Sequence, residues 1–115
     1  DAPEAWNLTL GSSLVRVAVI DDGVEEHEDL NGRIIDGFTP GCFFNCNGKP
    51  RHSEHTHGQA CAGIIAANHN NSKGIRGIAP NVKIIPVRVF KECPNGVGSC
   101  ILFKSRKVAN GIRKA

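Results

Sequence analysis

The sequence predicts an α/β fold, a parallel sheet with packed helices, from three observations. "LVRVAVI" (residues 14–20) is a nearly unbroken β-branched run, "VKIIPVRVF" (82–90) is a second, and between them, from His57, the apolar spacing changes to threes and fours. Continuous apolar runs mark strands covered on both faces, as in parallel sheets, and the three-to-four spacing marks one face of a helix.

The first run stops at "DDG", where Gly23 lets the chain turn. A shorter extended run, "RIIDGF" (33–38), follows a polar turn, and a Gly, Cys, Asn and Pro-rich loop occupies 40–54. In the helix that begins at His57, Cys61, Ile64, Ile65 and Asn68 are expected on one face. Ala60, Ala62 and Gly63 keep the sides thin, so the helix can approach the sheet closely. Pro86 interrupts the second long strand and lacks a ladder donor, so it must sit at a bulge or an unpaired position. After the loop "KECPNGVGSC", a second helix from about residue 105 is expected to present Val108, Ala109, Ile112 and Ala115 on one face. The order strand, strand, helix, strand, helix is that of an α/β sheet. The chain ends on a helical residue without the strand such a helix normally feeds, so one incomplete domain over residues 1–115 is expected.

Composition narrows the function classes. Fourteen basic against eleven acidic residues give a net charge of +3, with the bases dense only from 104 to 114, and there are five Phe, one Trp and no Tyr. A nucleic-acid binder would show a concentrated basic stripe with interleaved aromatics, so no nucleic-acid partner is expected. No stretch approaches the roughly 18 apolar residues of a membrane span. Asp1 is not a start methionine, so the lack of a leader says nothing about export. Five cysteines in 115 residues point to an oxidising, secreted or extracytoplasmic setting, with Cys42–Cys46 and Cys93–Cys100 as local partners and at least one thiol left over. Free thiols in a reduced protein are the alternative.

In open parallel sheets, functional groups gather beyond the carboxyl ends of the strands. Asp21 stands there, and His57 opens a helix that returns towards the same sheet. A carboxylate at a strand end and an imidazole at a helix start can meet, which lets the Asp fix the His tautomer and stabilise the protonated ring.

The segments "VAVIDDGVEEHEDL", "HGQACAGIIAA", "GIRGIAPNVKIIPVRV" and "VANGIRKA" together resemble, in order and spacing, the N-terminal half of a subtilisin-like serine protease, a subtilase (peptidase S8 family). The resemblance implies a doubly wound domain of which this is the first part, with Asp21 as the triad aspartate and His57 as the general base. His52 and His55 precede the motif and fall on the loop. The intact enzyme would be a serine endopeptidase acting on peptide or protein substrates. The Gly-Thr-Ser-Met-Ala nucleophile motif is absent, so the chain alone is expected to be inactive and to partner the remaining C-terminal part of its catalytic domain.

The family's first-motif Thr is Asp22 here, as in proprotein convertases, which implies a carboxylate facing the substrate; a surface acid in a turn is the plainer alternative. Gln59 and Ala60 also depart from the family's second motif. "NGVG" is similar to the family's peptide-pairing edge, and Gly96, Val97 and Gly98 would allow the backbone approach that β-addition needs; an ordinary Gly turn is the alternative. "NHNNSKGI" resembles the loop that wraps a structural calcium ion, with Asn71, the carbonyls of Lys73 and Ile75, and the carboxylate of Asp29 as ligands. An Asn-rich capping turn is the other reading of that loop.

Two rival functions follow from the same residues. One is a metal-binding module in which His55 and His57, one residue apart, join Cys61. The other is a pseudoprotease that keeps only the peptide groove. A missing neighbour beside the first strand would leave backbone groups of Val15, Val17 and Val19 unpaired, so self-association of the fragment is also expected.

Overall fold

The computed structural model describes residues 1–44, 46–92, 99–100 and 105–115. The elements are α1 (Ala2–Trp6), β1 (Arg16–Asp21), a 3-10 turn (Glu28–Leu30), α2 (His57–Ala66), β2 (Lys83–Arg88), the short strands β3 (Lys91–Glu92) and β4 (Ser99–Cys100), and α3 (Ser105–Lys114). β1 and β2 pair in parallel, Arg16 opposite Lys83 through Asp21 opposite Arg88. β3 and β4 form a separate antiparallel pair.

The expected strand over 33–38 exists only as two parallel bridges, Ile34 to Ile84 and Phe38 to Val87. Between the bridges three residues, 35–37, stand against two, 85–86, so one residue is extra and the ladder is bulged. Pro86 is the cause. Ile84 donates to the Arg33 carbonyl and Arg88 to that of Phe38, so alternation turns Pro86, which has no N–H, towards this segment. Its carbonyl still accepts from Phe38, and Gly37 crosses so close that a Cβ there would lie 2.4 Å from the Pro86 oxygen.

Apolar residues cover both faces of the sheet. On one, Val19, Ile84, Val24 and Leu30 pack with Ala62 and Ala66 of α2; on the other, Ile85, Val87 and Val89 pack with Ile20, Phe38 and Val108 of α3. The expected helix faces need correcting. α2 buries Gly58, Ala62 and Ala66, with Cys61 and Ile65 at the flank, while Ile64 is 60% exposed and Asn68 lies beyond the helix. Small residues form the contact because α2 lies almost on the β1 turn: a Cβ at Gly58 would be 2.5 Å from the Gly23 carbonyl. On α3, Val108 and Gly111 face the sheet, and Ala109, Ile112 and Ala115 are exposed. A Cβ at Gly111 would sit 3.3 Å from both Pro40 and Val87.

The free edge of β1 also differs from expectation. Val15 and Asp21 accept from the N–H groups of Lys83 and Val89, so by alternation Arg16, Ala18 and Ile20, not Val15, Val17 and Val19, direct their backbone groups away from β2. α1 was not foreseen. Asp1 and Glu4 form a reciprocal capping box around it, and Trp6 anchors the segment by donating from Nε1 to the Ile78 carbonyl at 2.8 Å.

Candidate active site

β1 delivers Asp21 to the carboxyl edge of the sheet, and α2 begins against the same edge with His57. Nδ1 of His57 lies 2.8 Å from Oδ2 of Asp21. The other oxygen, Oδ1, accepts the N–H of Asp22 at 2.7 Å, so both carboxylate oxygens are committed and the group cannot rotate freely. The Asp21 side chain is 14% exposed and that of His57 is 75% exposed. With Nδ1 held to an ionised carboxylate, the ring proton sits on Nδ1, which leaves the Nε2 lone pair free to accept a proton.

Asp22 is placed otherwise than the sequence reading expected. It is 3% exposed, neither facing a substrate nor lying at the surface of a turn. Its Oδ2 accepts from His57 N at 3.2 Å and its Oδ1 from Gly58 N at 2.7 Å. These are two of the helix-starting N–H groups that no intrahelical carbonyl satisfies. The local cap residue, Thr56, makes no side-chain cap bond. Asp22 thus replaces it across a separation of 35 residues, and its charge also suits the positive end of the helix. Nothing local in the sequence marks this role.

The histidines before the motif are set apart. His52 and His55 meet edge to face at 5.6 Å, and His55 is buried. The rival metal triad of His55, His57 and Cys61 is therefore not assembled: His57 is already helical, so it does not share a side with His55 as it would on an extended segment. The ligand atoms that come within 4.8 Å of one another are those of Asp21, His57 and Cys61. Cys61, one turn along α2, places Sγ 3.9 Å from Nδ1 of His57 and is a free thiol. Gln59 accepts from the Glu25 N–H at 3.0 Å, tying the helix to the segment after Asp22.

A closed geometry of Asp, His and a capped helix start at a parallel-sheet edge matches a known family. The family model of the subtilases matches residues 12–112. The chain belongs to the subtilase family. Thermitase of Thermoactinomyces vulgaris is 38% identical over 115 residues, covering 99% of this chain and 37% of thermitase. An extracellular protease of Xanthomonas campestris is 32% identical over 135 residues, covering 94% of this chain and 23% of that protein. Among solved structures, fervidolysin from Fervidobacterium pennivorans, a keratinolytic enzyme related to subtilisin, superposes with a TM-score of 0.70 at 33% identity, over 97% of this chain and 16% of its own. The chain therefore spans little more than a third of thermitase and less than a quarter of the other two.

Within this subtilase chain the 68–77 loop curls around Asp29. Asn70, Ser72 and Gly74 take left-handed backbone angles, and a Cβ at Gly74 would lie 2.1 Å from Oδ2 of Asp29. Asp29 is buried, accepting from Asn71 Nδ2 at 2.7 Å and from Ile75 N at 3.0 Å. The Lys73 side chain turns outward and pairs with Glu28. The Cys42–Cys46 disulfide is formed. The Cys93–Cys100 pairing and the peptide-pairing residues Gly96, Val97 and Gly98 lie outside the described residues. No helix among the described residues is long and apolar enough to cross a membrane.

Proposed function

We propose that the protein carrying this chain is a subtilisin-like serine endopeptidase in which Asp21 and His57 are two members of the triad. The observation that carries the reading is the 2.8 Å contact between His57 Nδ1 and Asp21 Oδ2. Nε2 of His57 takes the proton of a serine hydroxyl supplied from outside these residues, as that hydroxyl attacks the peptide carbonyl. The imidazolium that forms is stabilised by Asp21 and then protonates the leaving amine. Asp22 acts at one remove, by fixing the backbone from which His57 projects. Substrate peptide adds along Gly96–Gly98. The disulfide and the similarity to an extracellular protease support secretion. The test is labelling of the full-length protein with a fluorophosphonate probe, together with casein hydrolysis. Labelling that disappears in His57→Ala is expected. A folded full-length protein that neither labels nor cleaves would establish the pseudoprotease reading instead.

We also propose a structural calcium ion at Asp29. The residue types fit a hard cation: the Asp29 carboxylate on the 3-10 turn and, from the 68–77 loop, the Asn71 side-chain oxygen and the carbonyls of Lys73 and Ile75 are all potential oxygen ligands, and the Lys73 ammonium is paired with Glu28. Bound calcium would tie the 68–77 loop to the 3-10 turn. Chelation should lower the melting temperature of the full-length protein, and Asp29→Asn should abolish the difference between calcium and chelator.

A further inference from the structure

The connection between the bridged segment 33–38 and α2 carries a feature that neither the sheet nor the Asp21–His57 pair uses. Phe43 is 93% exposed and Phe44 86%. They stand side by side at the tip of a small closed loop: the Cys42 N–H donates to the Thr39 carbonyl at 3.3 Å, the Thr39 N–H donates to the Cys46 carbonyl at 3.0 Å, and the Cys42–Cys46 disulfide joins the two arms. Single exposed apolar residues are ordinary at a protein surface, but two adjacent phenylalanines that the described residues leave uncovered call for a partner. Because the loop is closed, little ordering cost remains when that partner takes them.

The foot of this loop rests on the last turns of α3. A Cβ at Gly111 would sit 3.3 Å from Pro40, and the Lys114 ammonium lies 4.8 Å from the centre of the Phe38 ring. Phe43 and Phe44 follow Pro40 by three and four residues, so their Cα atoms stand within about 14 Å of it. Arg113 and Lys114 are both exposed at this end of α3. The charge of the two meeting segments is one-sided: residues 39–51 and 105–114 hold six bases and no acid, in a chain whose net charge is only +3. Asp36, the nearest acid before the loop, lines a cavity with Glu26 and Lys49.

Shape and charge select the occupant. A protein partner would have to offer a pocket matched to a projecting aromatic knob, whereas a bilayer interface accepts aromatic side chains at headgroup depth without one. A second copy docked through this face would bring Arg113 and Lys114 against their own kind. An anionic bilayer takes both features, the phenylalanines into its interface and the bases at its surface. One weak signal gives only marginal, reversible attachment, and an apolar insertion paired with basic residues supplies two. We infer that Phe43 and Phe44, with Arg113 and Lys114, form a docking site for an anionic phospholipid surface, which holds the protein at the face of a membrane without a span. The inference does not depend on the protease reading.

The experiment is co-sedimentation of the full-length protein with vesicles of phosphatidylcholine alone and of an equal mixture of phosphatidylcholine and phosphatidylserine, at fixed calcium, with melting temperatures taken for every variant. Binding to the mixed vesicles that weakens with added salt is expected, with little binding to phosphatidylcholine alone. The double variant Phe43→Ser, Phe44→Ser should bind at least about tenfold more weakly, and Lys114→Ala about fivefold, the effect of one base near such a surface. In Phe43→Trp, brominated acyl chains in the mixed vesicles should quench the added emission. A full-length protein that ignores the mixed vesicles would overturn the site, showing that another part of the protein or a protein partner covers the two phenylalanines. Binding undiminished in the double serine variant, or an added tryptophan that stays unquenched on bound vesicles, would overturn it as well, by placing the contact elsewhere. Phe43→Trp keeps an aromatic ring at the tip, so the quenching decides the matter even if the double variant fails to fold.

Discussion

Asp22 closes the helix that His57 opens: one carboxylate oxygen takes the His57 N–H at 3.2 Å and the other the Gly58 N–H at 2.7 Å. Its neighbour Asp21 meets the His57 side chain at 2.8 Å. Two successive carboxylates at one strand end thus hold backbone and ring of the same histidine. The turn at Gly23 makes this possible, since its φ of +125° is open to glycine, and a Cβ there would lie 2.4 Å from Pro50 N.

Asp22→Ala should therefore destabilise the protein by about 2–3 kcal/mol, because two buried charge-assisted hydrogen bonds to a helix start are lost. Asp22→Asn, which keeps one acceptor oxygen, should lose less. Urea unfolding of the full-length protein measures both. Equal stability of Asp22→Ala and wild type would mean that Thr56 or water caps α2 just as well.

Asp21→Asn leaves the shape of the site intact but removes the charge that selects the Nδ1–H tautomer. On the triad mechanism kcat should fall about 10⁴-fold with little change in stability. The kcat and KM of a chromogenic peptide, measured beside the melting temperature, separate this from a folding defect. A loss of less than about tenfold would remove Asp21 from the triad.

The sequence made the sheet and the Asp21–His57 meeting legible because both rest on local signals: continuous apolar runs, a residue at a strand end and a residue at a helix start. Pro86 announced a break in the ladder, and the bulge at Gly37 is that break seen from its partner segment. The role of Asp22 was hidden because it depends on contacts with His57 and Gly58, far away in sequence, and a window of neighbours holds no trace of them. The faces of α2 and α3 were misassigned for a different reason. Apolar spacing weights the large residues, yet these helices approach the sheet through Gly58, Ala62 and Gly111, whose value lies in having little side chain. The α1 helix was missed although its signal is local: Asp1-x-x-Glu4 with Pro3 between is a capping-box pattern.

The pair of Lys73 and Glu28 makes stability depend on acid pH. The Lys73 ammonium, through its hydrogen bond and then its charge, holds the Glu28 carboxyl below its ordinary value of 4.5. A depressed carboxylate contributes stability that is present above the unfolded value and is lost as pH falls through the folded one. The contribution should therefore fade below about pH 4.5, and Glu28→Gln should flatten that part of the melting-temperature profile. Both groups are exposed, so the effect is small and should shrink further in high salt. An identical profile for Glu28→Gln and wild type between pH 3 and about pH 5 would show that the pair contributes nothing.

The last prediction concerns the open side of β1. β2 takes the backbone groups of Val15 and Asp21, and the remaining groups of Arg16, Ala18 and Ile20 face a side where no described strand pairs. An unpaired parallel edge flanked by apolar side chains is a template for another strand. The isolated 115-residue chain should therefore associate at micromolar concentration, and covering this edge should require the rest of its catalytic domain. Ala18→Pro removes the central outward N–H without touching the ladder to β2, so it should shift the fragment towards monomer while leaving its far-ultraviolet spectrum unchanged. Sedimentation velocity across a concentration series reads both effects. A wild-type fragment that sediments as a compact monomer and unfolds cooperatively would show that this edge is covered within the fragment itself, and the requirement for a covering strand from elsewhere in the protein would fall.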